Sequence, residues 1–342
     1  MTATRHTPPP RPAASRLTGT RRLVVAVLAV AMLLTGCDLR LETPAPQAPQ
    51  PDAAELARSR TVDDSAMLAE HARLAALGPA ADDDAIAQVL GSVAAFSDLH
   101  GEQLGGVYVS GLDADGTLPE TASSAPPIVL PGEVLALLGV TALTARSDAD
   151  SAASGALARL LASVSAARAD LAVRLAAALG VDAPTGVAPT FDPAPTPGAV
   201  DLPVLSALVL AEDEAGYAFE VIAAKLADAQ RADAQGRAAQ HRARAQVWAD
   251  ASGLVSSGSD PRRTAYALPA GLDDPAVAVE LARAIEASLA AGYANLVAEA
   301  AAGTRASAVD ALRQATADAA AWGAEPAAFP GLPEQAAPVA LG

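Results

Sequence analysis

The feature of this chain that most constrains its fold is its alanine content. About a quarter of the 342 residues are alanine, and aromatic residues make up only 3%. Alanine has the highest helix propensity, whereas strands favour β-branched and aromatic side chains. Apolar residues also recur at spacings of three and four, as helix packing requires. The sequence therefore predicts an all-α protein built from closely packed helical bundles.

The first 36 residues have the pattern of an export signal. Five arginines and no acidic residue occur before an apolar run over residues 23–34, which is too short for a comfortable permanent membrane span. The run ends in Leu34-Thr35-Gly36-Cys37, which resembles the lipobox of bacterial lipoproteins. In a lipobox, small residues admit the signal peptidase and the cysteine thiol carries the lipid. We expect a signal peptide over residues 1–36 and lipidation, with palmitate among the acyl groups, at Cys37.

Two alternatives to this interpretation stay open. The N-terminus has the composition of an ordinary secretory signal or an uncleaved anchor in which the only cysteine is incidental. The pair Arg21-Arg22 is similar to a twin-arginine signal, so the sequence does not decide between the Sec and twin-arginine export routes.

The net charge of the chain affects how the protein can bind to a membrane. The formal charge is −16, and it becomes −21 once residues 1–36, with their five arginines and no acid, are removed. Such a body repels anionic headgroups and lacks the clustered basic residues that bind nucleic acid. We therefore expect no nucleic-acid partner and a protein held by lipid at the outer face of the cell membrane.

Proline-rich segments divide the chain into two helical blocks. Residues 37–52 are predicted to form an extended tether, and residues 181–201 a linker. Between them, residues 53–180 are predicted to form an N-terminal helical bundle, followed by a second bundle over residues 202–334 and a tail over residues 335–342. We predict four helices in each bundle: residues 53–77, 82–104, 132–146 and 148–178, then 202–228, 232–251, 274–302 and 304–322. The alternative is one irregular eight-helix domain.

Several short segments of the second block share a family likeness. They are ALVLAEDEAGY from Ala207, AQHRAR from Ala239, YALP from Tyr266, and AGYANLVAE from Ala291. Together with AFPGLP near the end of the chain, they resemble the ferritin-like DUF4439 domain of actinobacterial proteins over about residues 202–334. The resemblance implies a ferritin-like four-helix bundle and no established activity.

A ferritin-like bundle raises the question of a metal site. A di-iron site takes a Glu from each of two helices and a Glu-x-x-His from each of the other two. Glu212, His241 and Glu286 lie in the apolar stripes of three predicted helices, but Ala238 stands where the motif needs a Glu, and residues 304–322 contain neither Glu nor His. We therefore predict no metal and no cofactor.

The same residues favour a buried polar cluster. We expect Glu212, His241 and Glu286 to form it together with Tyr217 and Tyr293, with Glu212 facing His241. In the first block His100 shares a stripe with apolar residues, so we expect it to point inward near His71.

No nucleophile elbow, Walker loop or dinucleotide fingerprint occurs in the sequence, so we predict no enzymatic activity. The sequence favours a lipid-anchored envelope protein that presents helical surfaces and the long loops 107–130 and 252–271 to an envelope protein partner. Two other classes stay open: a metal-handling or redox protein with a degenerate di-iron site, and a carrier of a small ligand in an apolar cavity.

Overall fold

The computed structural model describes residues 51–107, 127–188, 200–255 and 257–335. The predicted signal peptide, Leu34, Thr35, Gly36 and Cys37, and most of the tether and the tail lie outside these residues. Eight α-helices are described: α1 (Ala53–Ala75), α2 (Asp84–Gln103), α3 (Pro131–Ser151), α4 (Gly155–Leu179), α5 (Leu202–Lys225), α6 (Asp228–Ala251), α7 (Pro275–Glu299) and α8 (Ala306–Ala321). Short 3-10 helices cover Pro79–Asp82 and Pro333–Gln335. The predicted all-α class is confirmed.

Local capping explains where several helices begin and end. The Asp83 carboxylate accepts hydrogen bonds from the first backbone N–H groups of α2, and Asp274 does the same for α7. A short acidic side chain there satisfies donors that have no partner inside the helix and complements the helix dipole. Gly180 ends α4 in the left-handed conformation, with φ 67°.

The boundary between α3 and α4 differs from the prediction. The sequence places the break between Arg146 and Asp148, but α3 continues to Ser151 and α4 begins only at Gly155. Asp148 looks like a helix cap in the sequence, yet it is buried within α3, 3.6 Å from Arg60. The cap of α4 is Ser154, whose hydroxyl accepts from the Leu157 N–H.

Helix α4 lies at the centre of the described structure. Every residue from 161 to 172 is buried, which is expected only of a helix that has neighbours on all sides. It packs against α2 and α3 of the first block and against α7 and α8 of the second. At its start, Gly155 lies so close to α7 that a Cβ atom there would sit 2.1 Å from the Ala298 carbonyl oxygen.

The two blocks share part of their hydrophobic core. One cluster of buried side chains joins Val62 and Leu161 from the first block to Leu208, Tyr293 and Leu312 from the second. The predicted domain boundary at residues 181–201 stays a prediction, of which residues 189–199 lie outside the described part. None of the described helices has the length and hydropathy needed to cross a membrane.

Candidate functional site: a buried ionic cluster

Each of the four helices α5 to α8 places ionisable side chains in the interior of the C-terminal bundle. The most deeply buried acid or histidine on each helix is Glu212, His241, Glu286 and Asp318 in turn, and none of these is more than 2% exposed. Each occupies a position in the apolar stripe of its helix, so the same periodicity that buries leucine and alanine also buries these polar groups. We call them, with Arg237, Arg244 and Tyr293, the ionic cluster.

His241 lies between two carboxylates. Its Nδ1 donates to Glu212 Oε2 at 2.8 Å, and its Nε2 donates to Glu286 Oε1 at 3.3 Å. Burial alone would lower the pKa of His241, but the hydrogen bonds and negative charges of the two glutamates outweigh it and raise the pKa to about 9. At neutral pH the ring is therefore an imidazolium that uses both nitrogens as donors.

Glu212 is satisfied from both sides. Its other oxygen, Oε1, accepts a short hydrogen bond from the Tyr293 hydroxyl, and Tyr293 is itself fully buried. Burial and the neighbouring Glu212 charge raise the pKa of Tyr293 well above its usual value, so the phenol stays a donor. The ring of Phe219 stacks on His241 with 5.3 Å between the ring centroids, which covers one face of the imidazole.

Asp318 binds two arginines of α6. Arg237 Nη1 lies 2.5 Å from Asp318 Oδ2, and Arg244 Nη2 lies 3.9 Å from the same oxygen. Burial, and next the charge of Glu286, raise the pKa of Asp318 to about 6, although Arg237 opposes the shift. Arg237 also lies 3.8 Å from Glu286, so one guanidinium serves two carboxylates.

The charges of the ionic cluster balance when Asp318 is ionised. Glu212, Glu286 and Asp318 carry three negative charges, and His241, Arg237 and Arg244 carry three positive ones. Burying an unpaired charge is expensive, whereas a paired and hydrogen-bonded set is tolerated in a low-dielectric interior. The cations that neutralise the acids thus come from the chain itself.

Residues 204–334 match the family whose description is Domain of unknown function (DUF4439). A DUF4439 domain therefore occupies this part of the chain. The predicted resemblance to DUF4439 is confirmed over these residues, while the actinobacterial origin stays a prediction. The matched range includes α6, α7, α8 and all but the first two residues of α5. Comparison with curated proteins and with solved structures finds no match.

The structure brings together four of the five residues named from the sequence. Glu212, His241, Glu286 and Tyr293 meet in the interior of the DUF4439 domain. Tyr217 is not part of this group: it is half-buried on α5, and its ring lies 5.7 Å from that of Tyr266. On the helix, Tyr217 lies five residues after Glu212 and so faces about 140° away from it.

Sequence reasoning missed Asp318, Arg237 and Arg244. The search of the last helix for Glu and His overlooked aspartate, although Asp318 follows Ala311 and Ala315 at helical spacing in the buried stripe. Arg237 and Arg244 precede and follow His241 by four and three residues, which places all three on one face of α6. That spacing is the sequence signal from which the two arginines could have been predicted to lie near His241.

The side chains of the cluster do not fit a di-iron centre. Both nitrogens of His241 donate to carboxylates, so the ring offers no lone pair to a metal ion. Arg237 lies where a cation would have to approach Asp318 and Glu286. In the described part of the chain, no group of three or more His, Cys, Asp or Glu side chains is arranged to hold a metal ion.

The first block buries its own histidine, but in a different setting. His100 is 1% exposed, and its Nε2 donates to the Ala328 carbonyl at 2.7 Å, which ties α2 to the last segment of the DUF4439 domain. Burial and the charge of Arg168 lower the pKa of His100 to about 3. Arg168 is fully buried as well and donates to the Ser65 hydroxyl at 2.9 Å.

Proposed function

We propose that this chain is an exported, lipid-anchored protein of the cell envelope that binds a protein partner and catalyses no reaction. The observation that carries the non-catalytic part is the ionic cluster: its glutamates and histidine are 0% exposed and are bound to other side chains of the chain. A catalytic site needs an opening for substrate and groups free to react. The carboxylates and the imidazole of the ionic cluster are not exposed to such an opening, and Glu286 Oε2 and Asp318 Oδ2, which have no hydrogen-bond partner among the described residues, are buried as well.

The lipid anchor rests on the sequence of the N-terminus. Cys37 follows Leu34-Thr35-Gly36 and is the only thiol of the chain, so metabolic labelling with palmitate tests it directly. The proposal expects label in the natural protein and none in Cys37→Ala, with Ser59→Ala as a matched control that keeps the label. Label that persists in Cys37→Ala, or an unlabelled natural protein in the membrane fraction, contradicts the anchor.

The loop over residues 252–271, apart from residue 256, belongs to the described part of the predicted partner surface. Its position is fixed by Asp213, whose carboxylate accepts from the Tyr266 hydroxyl at 2.6 Å and from the Arg263 backbone N–H at 3.3 Å. The side chains of Arg263 and Thr264 remain exposed. The other predicted contact loop, 107–130, lies outside the described residues over 108–126.

Site-specific crosslinking in intact cells tests this surface. A photoreactive residue in place of Thr264 is expected to give one crosslinked species that disappears on Arg263→Glu. The same residue in place of Gln88, on the exposed side of α2, is the control and is expected to give none. Equal crosslinking at both positions contradicts a partner surface at this loop.

The metal-handling alternative makes a different prediction. It requires stoichiometric iron or manganese in protein purified without chelator, and loss of that metal in His241→Gln. Our proposal expects metal well below one equivalent in both proteins. One equivalent of bound metal that depends on His241 would overturn the proposal.

A further inference from the structure

A groove of about 920 Å³ lies outside the ionic cluster, between the two helical blocks. Its walls come from α2 and α4 of the first block, from α7 and α8 of the DUF4439 domain, and from residues 324–335, which we call the C-terminal strap. Its volume lies in the range of pockets that hold small organic ligands.

The C-terminal strap is fixed along α4 by side chains of the first block. Arg174 donates to the Ala324 carbonyl and Ser163 to the Pro330 carbonyl, both at 2.7 Å, and Arg159 pairs with Glu334. As residue numbers on the strap rise, those on α4 fall, so the two segments run antiparallel. His100 adds a fourth attachment from α2. The groove is therefore preformed, which lowers the entropic cost of binding a ligand.

The floor of the groove is apolar. It consists mainly of small side chains from α7 and α8, flanked by larger ones from α2 and the strap: Phe96, Leu99, Ala290, Ala291, Ala319 and Phe329. Leu99 is 44% exposed, so part of its side chain remains accessible at the groove. Binding of an apolar group would remove this apolar surface from water, which is favourable in free energy.

The charged residues around the groove give it a net negative charge. Arg174 is already bound to Asp170 at 2.8 Å and to the strap, so its charge is neutralised within the wall. Glu102 and Glu325 are exposed and line the groove. No ion pair holds either carboxylate in the described residues, and the whole chain carries a net charge of −16.

We propose that this groove binds a cationic amphiphile, a molecule with an apolar body and a positively charged group. The apolar part covers the alanine floor, and the positive group lies beside Glu102 or Glu325. An anionic amphiphile of the same size meets two unpaired carboxylates and the field of an acidic protein. The inference does not depend on the lipid anchor or on a protein partner, because none of the residues that line the groove belongs to the predicted signal and tether or to the loop over residues 252–271.

Three probes of equal chain length test the proposal on the full chain: dodecyltrimethylammonium, 1-dodecanol and dodecanoate, each below the concentration at which it aggregates. Displacement of N-phenyl-1-naphthylamine fluorescence measures their affinities. We expect one saturable site that binds the cation at least tenfold more tightly than the anion, with the alcohol between them.

Variants separate the charge from the shape of the groove. The double variant Glu102→Gln/Glu325→Gln is expected to weaken binding of the cation about tenfold and to leave binding of the alcohol unchanged. Glu70→Gln, at an exposed position on α1, is expected to change neither affinity. Ala291→Trp fills the floor and is expected to abolish binding of all three probes, whereas Ala229→Trp, at an exposed position on α6, does not. If Ala291→Trp does not fold, Ser288→Trp on the groove wall takes its place.

Four results of the binding measurements would overturn the proposal, and a fifth comes from sedimentation. They are equal affinity for the three probes, preference for the anion, no saturable site, and binding that appears only after deletion of residues 336–342, which would assign the groove to the end of the chain itself. Dimerisation in sedimentation that Ala291→Trp abolishes would assign the groove to a second copy and would likewise overturn it. None of these results touches the labelling, crosslinking or metal tests of the proposed function.

Discussion

His241 donates from Nδ1 to Glu212 at 2.8 Å, and both side chains are 0% exposed. This buried pair joins α5 to α6 and leaves Nε2 to reach Glu286 on α7. One imidazolium therefore connects three of the four helices in the DUF4439 domain. Because each partner is buried, loss of one member leaves the others with uncompensated charge.

Removal of the Glu212 charge tests how strongly the cluster holds the bundle. Glu212→Gln leaves an imidazolium with one carboxylate fewer, and we expect the free energy of unfolding to fall by about 3 kcal/mol. Urea denaturation at pH 7 measures the change. Glu214→Gln, two residues along α5 and exposed, is the matched control and is expected to change stability by less than about 0.5 kcal/mol. Equal effects of the two substitutions would contradict the pairing.

Arg237 is expected to stabilise the fold because its guanidinium pairs with the carboxylates of Asp318 and Glu286. Arg237→Met leaves Asp318 and Glu286 without their nearest guanidinium, so stability at pH 7 should fall by about 3 kcal/mol. Arg73→Met removes an exposed ion pair with Asp98 and should cost less than about 1 kcal/mol.

The effect of Arg237→Met should also depend on pH. The pKa of Asp318 is raised to about 6, so this carboxyl is mostly protonated at pH 5 and needs its cation less. Urea denaturation at pH 5 should therefore show a smaller loss than at pH 7. A loss that is the same at both pH values would show that Asp318 does not titrate in this range.

His100 should make the protein sensitive to mild acid. The pKa of His100 is about 3 in the folded protein and 6.5 in the unfolded chain, so the unfolded chain takes up the proton first. The stability that this group contributes is complete above pH 6.5 and falls as the pH drops towards 3. His100→Gln retains an N–H donor for the Ala328 carbonyl and does not titrate.

The unfolding free energy of His100→Gln should therefore fall less steeply between pH 6.5 and pH 4 than that of the natural protein. Gln88→Ala, an exposed and uncharged position on α2, serves as the control and should keep the natural slope. Parallel curves for His100→Gln and the natural protein would show that His100 is not buried in its neutral form.

Gly331 fixes the strap against α7. Its φ is +76°, and a Cβ atom there would lie 2.7 Å from the Ala290 carbonyl oxygen. Gly331→Ala should therefore lower the thermal midpoint and weaken the attachment of the strap, by about 2 kcal/mol. Gly236→Ala, at an exposed position away from the ends of α6 with open space around it, should instead stabilise the protein by about 0.5–1 kcal/mol. The same sign for both substitutions would contradict this packing.

Local sequence rules account for much of this fold. Alanine content and periodicity predict eight helices, and Asp83 and Gly180 mark helix ends that the structure retains. The α3–α4 boundary was wrong because Asp148 has the residue type of a cap, while its burial beside Arg60 depends on tertiary packing. Periodicity also brought Glu212, His241 and Glu286 inward, because it fixes which face of a helix is buried.

Other parts of the structure depend on contacts between residues that are far apart in the sequence, which local sequence patterns do not predict. The strap crosses to α4 over more than 140 residues of sequence, so the contacts of Arg174 and Ser163 have no signal in their own helix. Arg237 could be placed on the face of His241, but its choice of Asp318 depends on how α6 and α8 pack. The groove arises from the same packing between blocks.

The titration of His241 tests the central claim most directly, namely that the cluster is closed by the chain's own charges. Two-dimensional ¹⁵N–¹H NMR of the imidazole reports the protonation of each nitrogen as the pH rises. With a folded pKa of about 9 against 6.5 in the unfolded chain, His241 contributes stability that is complete below pH 6.5 and is lost as the pH rises through 9. We predict that both nitrogens remain protonated at pH 7.5 and titrate near pH 9. A ring that is neutral at pH 7.5, with one nitrogen free to bind a metal ion, would contradict the account.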